Sequence, residues 1–180
     1  MAKYCLYQSP IGCLRIGAEN GSITNVGMWQ AENERSFSEG RTCVSGLAGA
    51  ECTQLEEAAQ GSDRDSELLQ KACLQLDEYF QGKRKRFDLP VRCKGTDFQN
   101  RVWQALQKIP YGETRSYEEI AVDVGSPKAQ RAVGQANNRN RIMILVPCHR
   151  VIHKNGDPSG FACGDEAKKF LLALEKKYKF

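Results

Sequence analysis

The chain has 180 residues, 41% hydrophobic and 27% charged, a globular composition that excludes wholesale disorder and allows one ordinary domain or two small ones. No apolar stretch approaches the roughly 20 residues of a membrane-spanning helix, and the start MAKYCLYQSPIGCLRIG reaches a glycine-bearing turn too early for a signal peptide's apolar core. A cytoplasmic protein, or a nuclear one in a eukaryotic source, is the expectation. The net charge of +4 is uneven: residues 1–92 hold 11 Lys and Arg against 13 Asp and Glu, whereas residues 93–180 hold 15 against 9, a balance that suits either phosphate attraction or a solubilised surface.

The N-terminal half opens with strand-like pieces. Tyr4–Tyr7 leads into a Ser-Pro-x-Gly turn at Ser9–Gly12, and Cys13, Leu14 and Ile16 precede Asn20-Gly21 and a further run from Ile23 to Met28. Asn-Gly between apolar runs predicts a hairpin, because both residues tolerate positive φ. Residues 30–65 show no periodicity and are expected to form a long connection. From Ser66 to Phe80 the positions Leu68, Leu69, Ala72, Cys73, Leu76, Tyr79 and Phe80 trace one helical face, with Gly82 suited to the C-terminal cap. Lys83–Arg86 is expected to be a solvated loop, and Phe87–Val91 a short closing strand. The eight cysteines, at positions 5, 13, 43, 52, 73, 93, 148 and 163, contain no CxxC pair, and the only histidines are His149 and His153. That pattern favours small buried residues in a reducing compartment over a disulfide scaffold or a metal site.

Arg92–Gly95 marks a boundary between an N-terminal α/β domain (1–92) and a C-terminal domain (93–180). Thr96-x-x-Gln99 is a capping box ahead of a stripe formed by Phe98, Val102, Trp103, Leu106 and Ile109, which Pro110-Tyr111-Gly112 breaks. Ser116-x-x-Glu119 opens a second helix that ends near Gly125, and Ser126-Pro127 is expected to start a third, with proline at its first position. A short helix, a tight glycine turn and a second helix of small residues carrying Lys128 and Arg131 resemble a helix-turn-helix. The run Ile142–Val146 is long enough for a buried strand and ends at Pro147-Cys148-His149-Arg150. A last helix runs from Asp165 to Lys177 and is expected to pack through Ala167, Phe170, Leu171 and Leu174.

A cysteine just after a buried run, next to a histidine, is placed for nucleophilic chemistry. Its thiolate is the reactive form, and a free thiol titrating near ~8.5 is only a few per cent thiolate at neutral pH. Neighbouring side chains on an extended strand point to opposite faces. His149 can therefore assist Cys148 only if Pro147 turns the chain or a water bridges the two.

Taken together, Pro147-Cys148-His149-Arg150-Val151-Ile152, RAVGQANNRN (Arg131–Asn140), YGETRSYEEIA (Tyr111–Ala121) and FQNRVWQAL (Phe98–Leu106) resemble the O6-alkylguanine-DNA alkyltransferases over residues 96–176, whereas the N-terminal half matches loosely through SPIG and FDLPV. The resemblance implies a small α/β domain followed by a winged-helix-like, mostly helical domain with a helix-turn-helix. It implies DNA repair by direct reversal, in which an alkyl group moves irreversibly from O6-alkylguanine in duplex DNA, with O4-alkylthymine a further candidate, to Cys148. No cofactor or metal is implied, and one DNA-binding module per chain suits a monomer. Carried over by position, Cys148 accepts the alkyl group, His149 deprotonates it through water, Glu175 orients the imidazole and Asn140 bonds within the turn. Tyr117 swings the nucleotide out of the stack and Arg131 fills the gap, with Ser116, Lys128, Ala129 and Arg150 also on the DNA. Met143, Val151, Phe161, Ala162 and Cys163 line the pocket. The sequence departs from the family pattern at Arg141, where proline is usual, at Phe161, where tyrosine is usual, and at Asp165, where an apolar residue is usual.

Three other readings compete. Damage binders without transfer activity lack the acceptor cysteine, which is present here. A regulator reading an operator would use Arg131 on a base edge. A cysteine hydrolase would turn over an ester or amide and has no use for a helix-turn-helix.

Overall fold

A computed structural model describes residues 2–29, 43–45, 64–161 and 163–180 of the chain. The chain forms two compact units, Met1–Arg92 and Cys93–Phe180. The connection expected over residues 30–65 lies mostly outside the described residues; within it the short strand β4 (Cys43–Ser45) was not anticipated.

In the first unit β1 (Lys3–Ser9), β2 (Gly12–Glu19) and β3 (Ser22–Met28) form an antiparallel meander, and β4 adds to β1 in parallel, for a sheet order β3-β2-β1-β4. Asn20 (φ 52°) and Gly21 (φ 70°) make the β2–β3 turn, both at the positive φ such a two-residue turn demands. The register shifts by a bulge at Gly17/Ala18. Inward residues Tyr7, Leu14, Ile16, Ile23 and Val26 bury one face against helix α1 (Arg64–Phe80), whose Leu68, Leu69, Ala72, Cys73, Leu76 and Tyr79 answer them. Polar pins fix the docking. Asp65 accepts from the amides of Asn20 and Gly21 at 3.1 and 2.6 Å, and the Tyr7 hydroxyl donates to Asp77 at 2.7 Å. Gly82 (φ 73°) ends α1 in the left-handed region. Phe87–Val91 is not a strand. Val91 makes one isolated bridge to Ile23, and Pro90, which has no N–H to give to a ladder, contributes its carbonyl to Ile23 N at 2.7 Å.

The second unit holds α2 (Asp97–Gln107), β5 (Arg115–Ser116), α3 (Tyr117–Asp123), α4 (Gln130–Asn138), β6 (Val151–Ile152) and α5 (Asp165–Lys177), with β5 and β6 paired in parallel. Thr96 and Ser116 each form the full reciprocal capping box with Gln99 and Glu119. The α3–α4 connection turns at Gly125 (φ 72°), giving a helix-turn-helix in which α2 packs on both helices and Trp103 Nε1 donates to the Ala136 carbonyl at 2.9 Å. The third helix starts later than the Ser-Pro pair suggests. Ser126 to Ala129 closes a turn of its own, and α4 begins at Gln130, whose side chain donates back to the Pro127 carbonyl.

Two further expectations are corrected. Ile142–Val146 is fully buried but is a compact turn rather than a strand, with Leu145 N bonded to Met143 O and Val146 N to Ile142 O. Ile144 adopts φ 71°, a conformation that a β-branched residue takes only when its surroundings impose it. On α5 the buried residues are Ala167, Lys168, Leu171 and Glu175, whereas Phe170 is exposed and Leu174 half-buried.

Candidate active site

Cys148 sits in a single 3-10 turn, Cys148–Arg150, entered through Pro147 (φ −79°, ψ 66°), and all three residues of the turn are buried. Neither the turn before Pro147 nor the 3-10 turn after it is extended, so the strand rule that sends neighbouring side chains to opposite faces does not apply to Cys148 and His149. The turn before it is bracketed by Asn140, whose Oδ1 accepts from Ile142 N at 3.0 Å and whose Nδ2 donates to Val146 O at 2.8 Å. Burial pushes the Cys148 thiol up to about 11, against the weaker opposing pull of Asn140 and the Lys168 ammonium, so Cys148 is protonated at rest.

Glu175, on the last turns of α5 and 1% exposed, gathers the neighbouring groups. Its Oε1 lies 2.8 Å from His149 Nε2 and 2.9 Å from Arg150 Nη2, while Oε2 accepts from Arg150 Nε at 2.9 Å and Gly112 N at 3.0 Å. Arg150 Nη1 also donates to Ile109 O at 2.6 Å. Burial works to raise the Glu175 carboxyl, but the hydrogen bonds from His149 and Arg150 and the charge of Arg150 outweigh it and hold the carboxyl far below the usual carboxylate range. An ionised Glu175 only accepts, so His149 Nε2 carries the proton. Burial lowers the His149 pKa despite Glu175, which makes the resting ring neutral, with Nδ1 as its acceptor nitrogen. That Nδ1 has no partner among the described residues.

Both units match descriptions of one family. Residues 2–93 match the 6-O-methylguanine DNA methyltransferase ribonuclease-like domain, and residues 97–177 match the DNA-binding domain of the same methyltransferases. Similar relatives include the constitutive methylated-DNA–protein-cysteine methyltransferase of Bacillus subtilis, 45% identical over 98% of this chain and 96% of that protein. The methylated-DNA–protein-cysteine methyltransferase of Methanosarcina acetivorans is 41% identical over 96% and 97%. The chain belongs to the 6-O-methylguanine DNA methyltransferase family. The crystal structure of Mycobacterium tuberculosis OGT in complex with DNA matches with a TM-score of 0.75 and 40% identity, covering 97% of this chain and 93% of that one.

In this member of the methyltransferase family the structure places Glu175 against His149 and Asn140 on the turn that leads into Cys148. Met143, Val151 and Phe161 are buried, Cys163 Sγ lies 3.5 Å from Met143 Sδ, and Ala162 lies outside the described residues. Asp165 is in the first turn of α5 but makes no cap; its Oδ1 accepts from Gly160 N at 3.1 Å and so pins the preceding loop. Arg141 is exposed. Among the residues assigned to DNA, Lys128 and Arg131 are exposed, Tyr117 and Ala129 are half-buried, and Ser116 is committed to capping α3. Arg150 is the correction. It is 6% exposed and spends its guanidinium on Glu175 and Ile109, so it is unavailable to a phosphate and belongs to the buried acid–base cluster.

Sequence reasoning missed three groups. Asn137 Nδ2 donates to the Cys148 carbonyl at 3.2 Å. Lys168, fully buried, donates to Val151 O at 2.6 Å. The Gly112 amide reaches Glu175 from the α2–β5 turn. Lys168 had a signal: Lys168, Leu171 and Glu175 fall at i, i+3 and i+7 of α5, so two charged residues share the stripe that buries a leucine. A groove of about 680 Å³ between α3 and β6, lined by residues such as Glu118, Val122, His153 and Lys154, includes neither Cys148 nor Phe161 in its walls.

Proposed function

We propose that this chain repairs DNA by direct reversal, transferring the alkyl group of O6-alkylguanine in duplex DNA to Cys148, once per molecule, with O4-alkylthymine as a second substrate of the same chemistry. The observation that carries this reading is the Glu175 carboxylate, which fixes the proton of His149 on Nε2 and turns the unpartnered Nδ1 into the base for the adjacent thiol. The Cys148 proton passes through water to His149 Nδ1. Sγ attacks the alkyl carbon, and the S–C bond forms as the C–O6 bond breaks. The released electron pair goes to the base, which takes up one proton and becomes guanine. Arg150 keeps Glu175 ionised as positive charge develops on His149.

An alkyl group inside a stacked duplex cannot reach a sulfur that is 4% exposed, so the nucleotide is extruded, at a cost of a few kcal/mol. Exposed Arg131 on α4 suits a filler for the vacated stack, exposed Lys128 a phosphate, and half-buried Tyr117 the displaced nucleotide. The second unit is thus the DNA-binding and alkyl-transfer domain and the first an α/β domain. The protein works as a monomer, in the cytoplasm or, in a eukaryotic source, the nucleus. Its product, a thioether, has no good leaving group and ends the protein's service.

Intact-protein mass after incubation with a duplex carrying O6-methylguanine tests the proposal. One added methyl mass on the wild type but not on Cys148→Ala, mapped to the Cys148 peptide and matched by loss of the lesion, is expected. Binding without mass gain would instead mark a damage binder or a regulator.

A further inference from the structure

Asn137, in the last turn of α4, is polar yet only 2% exposed. Its Nδ2 donates to the Cys148 carbonyl at 3.2 Å, and this contact orients the amide, because a carbonyl oxygen only accepts. The other end of the amide, Oδ1, has no hydrogen-bond partner among the described residues. Neighbouring oxygens are met. The Cys148 carbonyl also takes the Val151 amide, the Val151 carbonyl takes Lys168 Nζ at 2.6 Å, and Asn140 Oδ1 takes the Ile142 amide at 3.0 Å. A buried amide oxygen without a donor is destabilising relative to an apolar side chain of similar size, so packing alone does not account for Asn137.

Asn137 follows Gly134 by three residues and so shares its face of α4. That face meets Tyr117: a Cβ at Gly134 would come within 3.9 Å of Tyr117 Cε1. Tyr117 is half-buried, open on part of its surface. The unmet oxygen thus belongs to a side chain that holds the nucleophile's own carbonyl and lies on the helix face turned to the aromatic assigned to the displaced nucleotide.

The chemistry of the lesion limits what such an oxygen can recognise. With an alkyl group on O6, guanine N1 carries no proton, and N1, N3 and N7 are all acceptors. The 2-amino group then holds the only N–H bonds of the base, and O4-alkylthymine has none. Enzymes that extrude a base read it by hydrogen bonds to this edge. We infer that Asn137 Oδ1 accepts a hydrogen bond from the 2-amino group of the extruded O6-alkylguanine, which makes Asn137 a specificity-determining residue that favours alkylated guanine over alkylated bases without that group. The inference rests on the alkyl-transfer reading above and names the edge by which that site knows its base.

The test pairs one residue with one substrate group. Single-turnover transfer, read by intact mass, is compared between duplexes carrying O6-methylguanine and O6-methylhypoxanthine, the same base without its 2-amino group. The proteins are the wild type and Asn137→Leu, each with its melting temperature. The preference for O6-methylguanine is expected to be about tenfold larger in the wild type than in Asn137→Leu. Differences in how the two bases pair and leave the stack are common to both proteins and cancel. Loosening of the Cys148 turn slows both substrates alike and cancels too. A preference undiminished in Asn137→Leu would overturn the inference and leave the amide as a prop of the Cys148 carbonyl. Should Asn137→Leu fail to fold, Asn137→Ser, polar but shorter, is read in the same comparison. A wild type that gains no methyl mass from either duplex overturns the underlying transfer reading itself, an outcome distinct from an undiminished preference.

Discussion

At the scale of single residues, the Glu175 carboxylate divides its two oxygens between an imidazole, a guanidinium and a backbone amide, and each partner answers a different need. Arg150 supplies the opposite charge that lets a buried acid stay ionised, and His149 uses that ionisation to fix its tautomer. Glu175→Ala strands the Arg150 charge in the interior and is expected to destabilise the protein by about 3–5 kcal/mol in chemical denaturation. A carboxyl held below its ordinary 4.5 contributes stability that is present above that value and lost as pH falls below it, so acid unfolding is expected to be shallower in Glu175→Gln. The His149 pKa lies below 6.5, its ring being neutral in the folded protein. Transfer rates measured between about pH 5 and pH 8 should therefore be flat through neutrality and fall only on the acid side, as Nδ1 takes up a proton. In His149→Ala the plateau drops and the acid step vanishes; a step that survives would exclude His149 as the base.

At the scale of elements, α3 has only seven residues and cannot hold itself as an isolated helix, so its capping box matters more than its length. Ser116→Ala is expected to cost about 1 kcal/mol, read as a lowered denaturation midpoint. Both capping boxes were legible in the sequence because their partners lie three residues apart and the chemistry is local. The Ile142–Val146 turn was not. Its apolar run announced burial, and burial is shared by strands and packed turns alike. What makes it a turn is the Asn140 side chain reaching two and six residues onward and an isoleucine in the left-handed region. Phe87–Val91 failed for a related reason, since β-rich composition cannot show that only Val91 forms a bridge to another strand. The Arg150 misplacement is non-local as well: a basic residue reads as surface until a partner 25 positions away is known to be buried beside it. Cys148, His149 and the helix-turn-helix could be read from motif and spacing, but Glu175 became visible only through the family resemblance, because its place on α5 otherwise looks solvated.

At the scale of the whole molecule, the two compact units differ in charge, the first with 11 basic against 13 acidic residues and the second with 15 against 9. Duplex binding carried by the second unit should weaken steeply with added salt, and Lys128→Ala should lessen the log–log slope by about 1 if its ammonium neutralises a phosphate. Fluorescence anisotropy across a salt series measures this, and an unchanged slope would remove that residue from the backbone contacts. The burial of the Cys148 sulfur has a consequence for the protein as a population. Because burial pushes the thiol up, the resting protein carries little thiolate at neutral pH. Peroxides and stray electrophiles thus meet almost no nucleophile, while a seated lesion meets His149 beside it. A stock of such single-use molecules is thereby expected to lose its acceptor sulfurs slowly while idle, which peroxide labelling of Cys148 in the folded and the denatured protein measures.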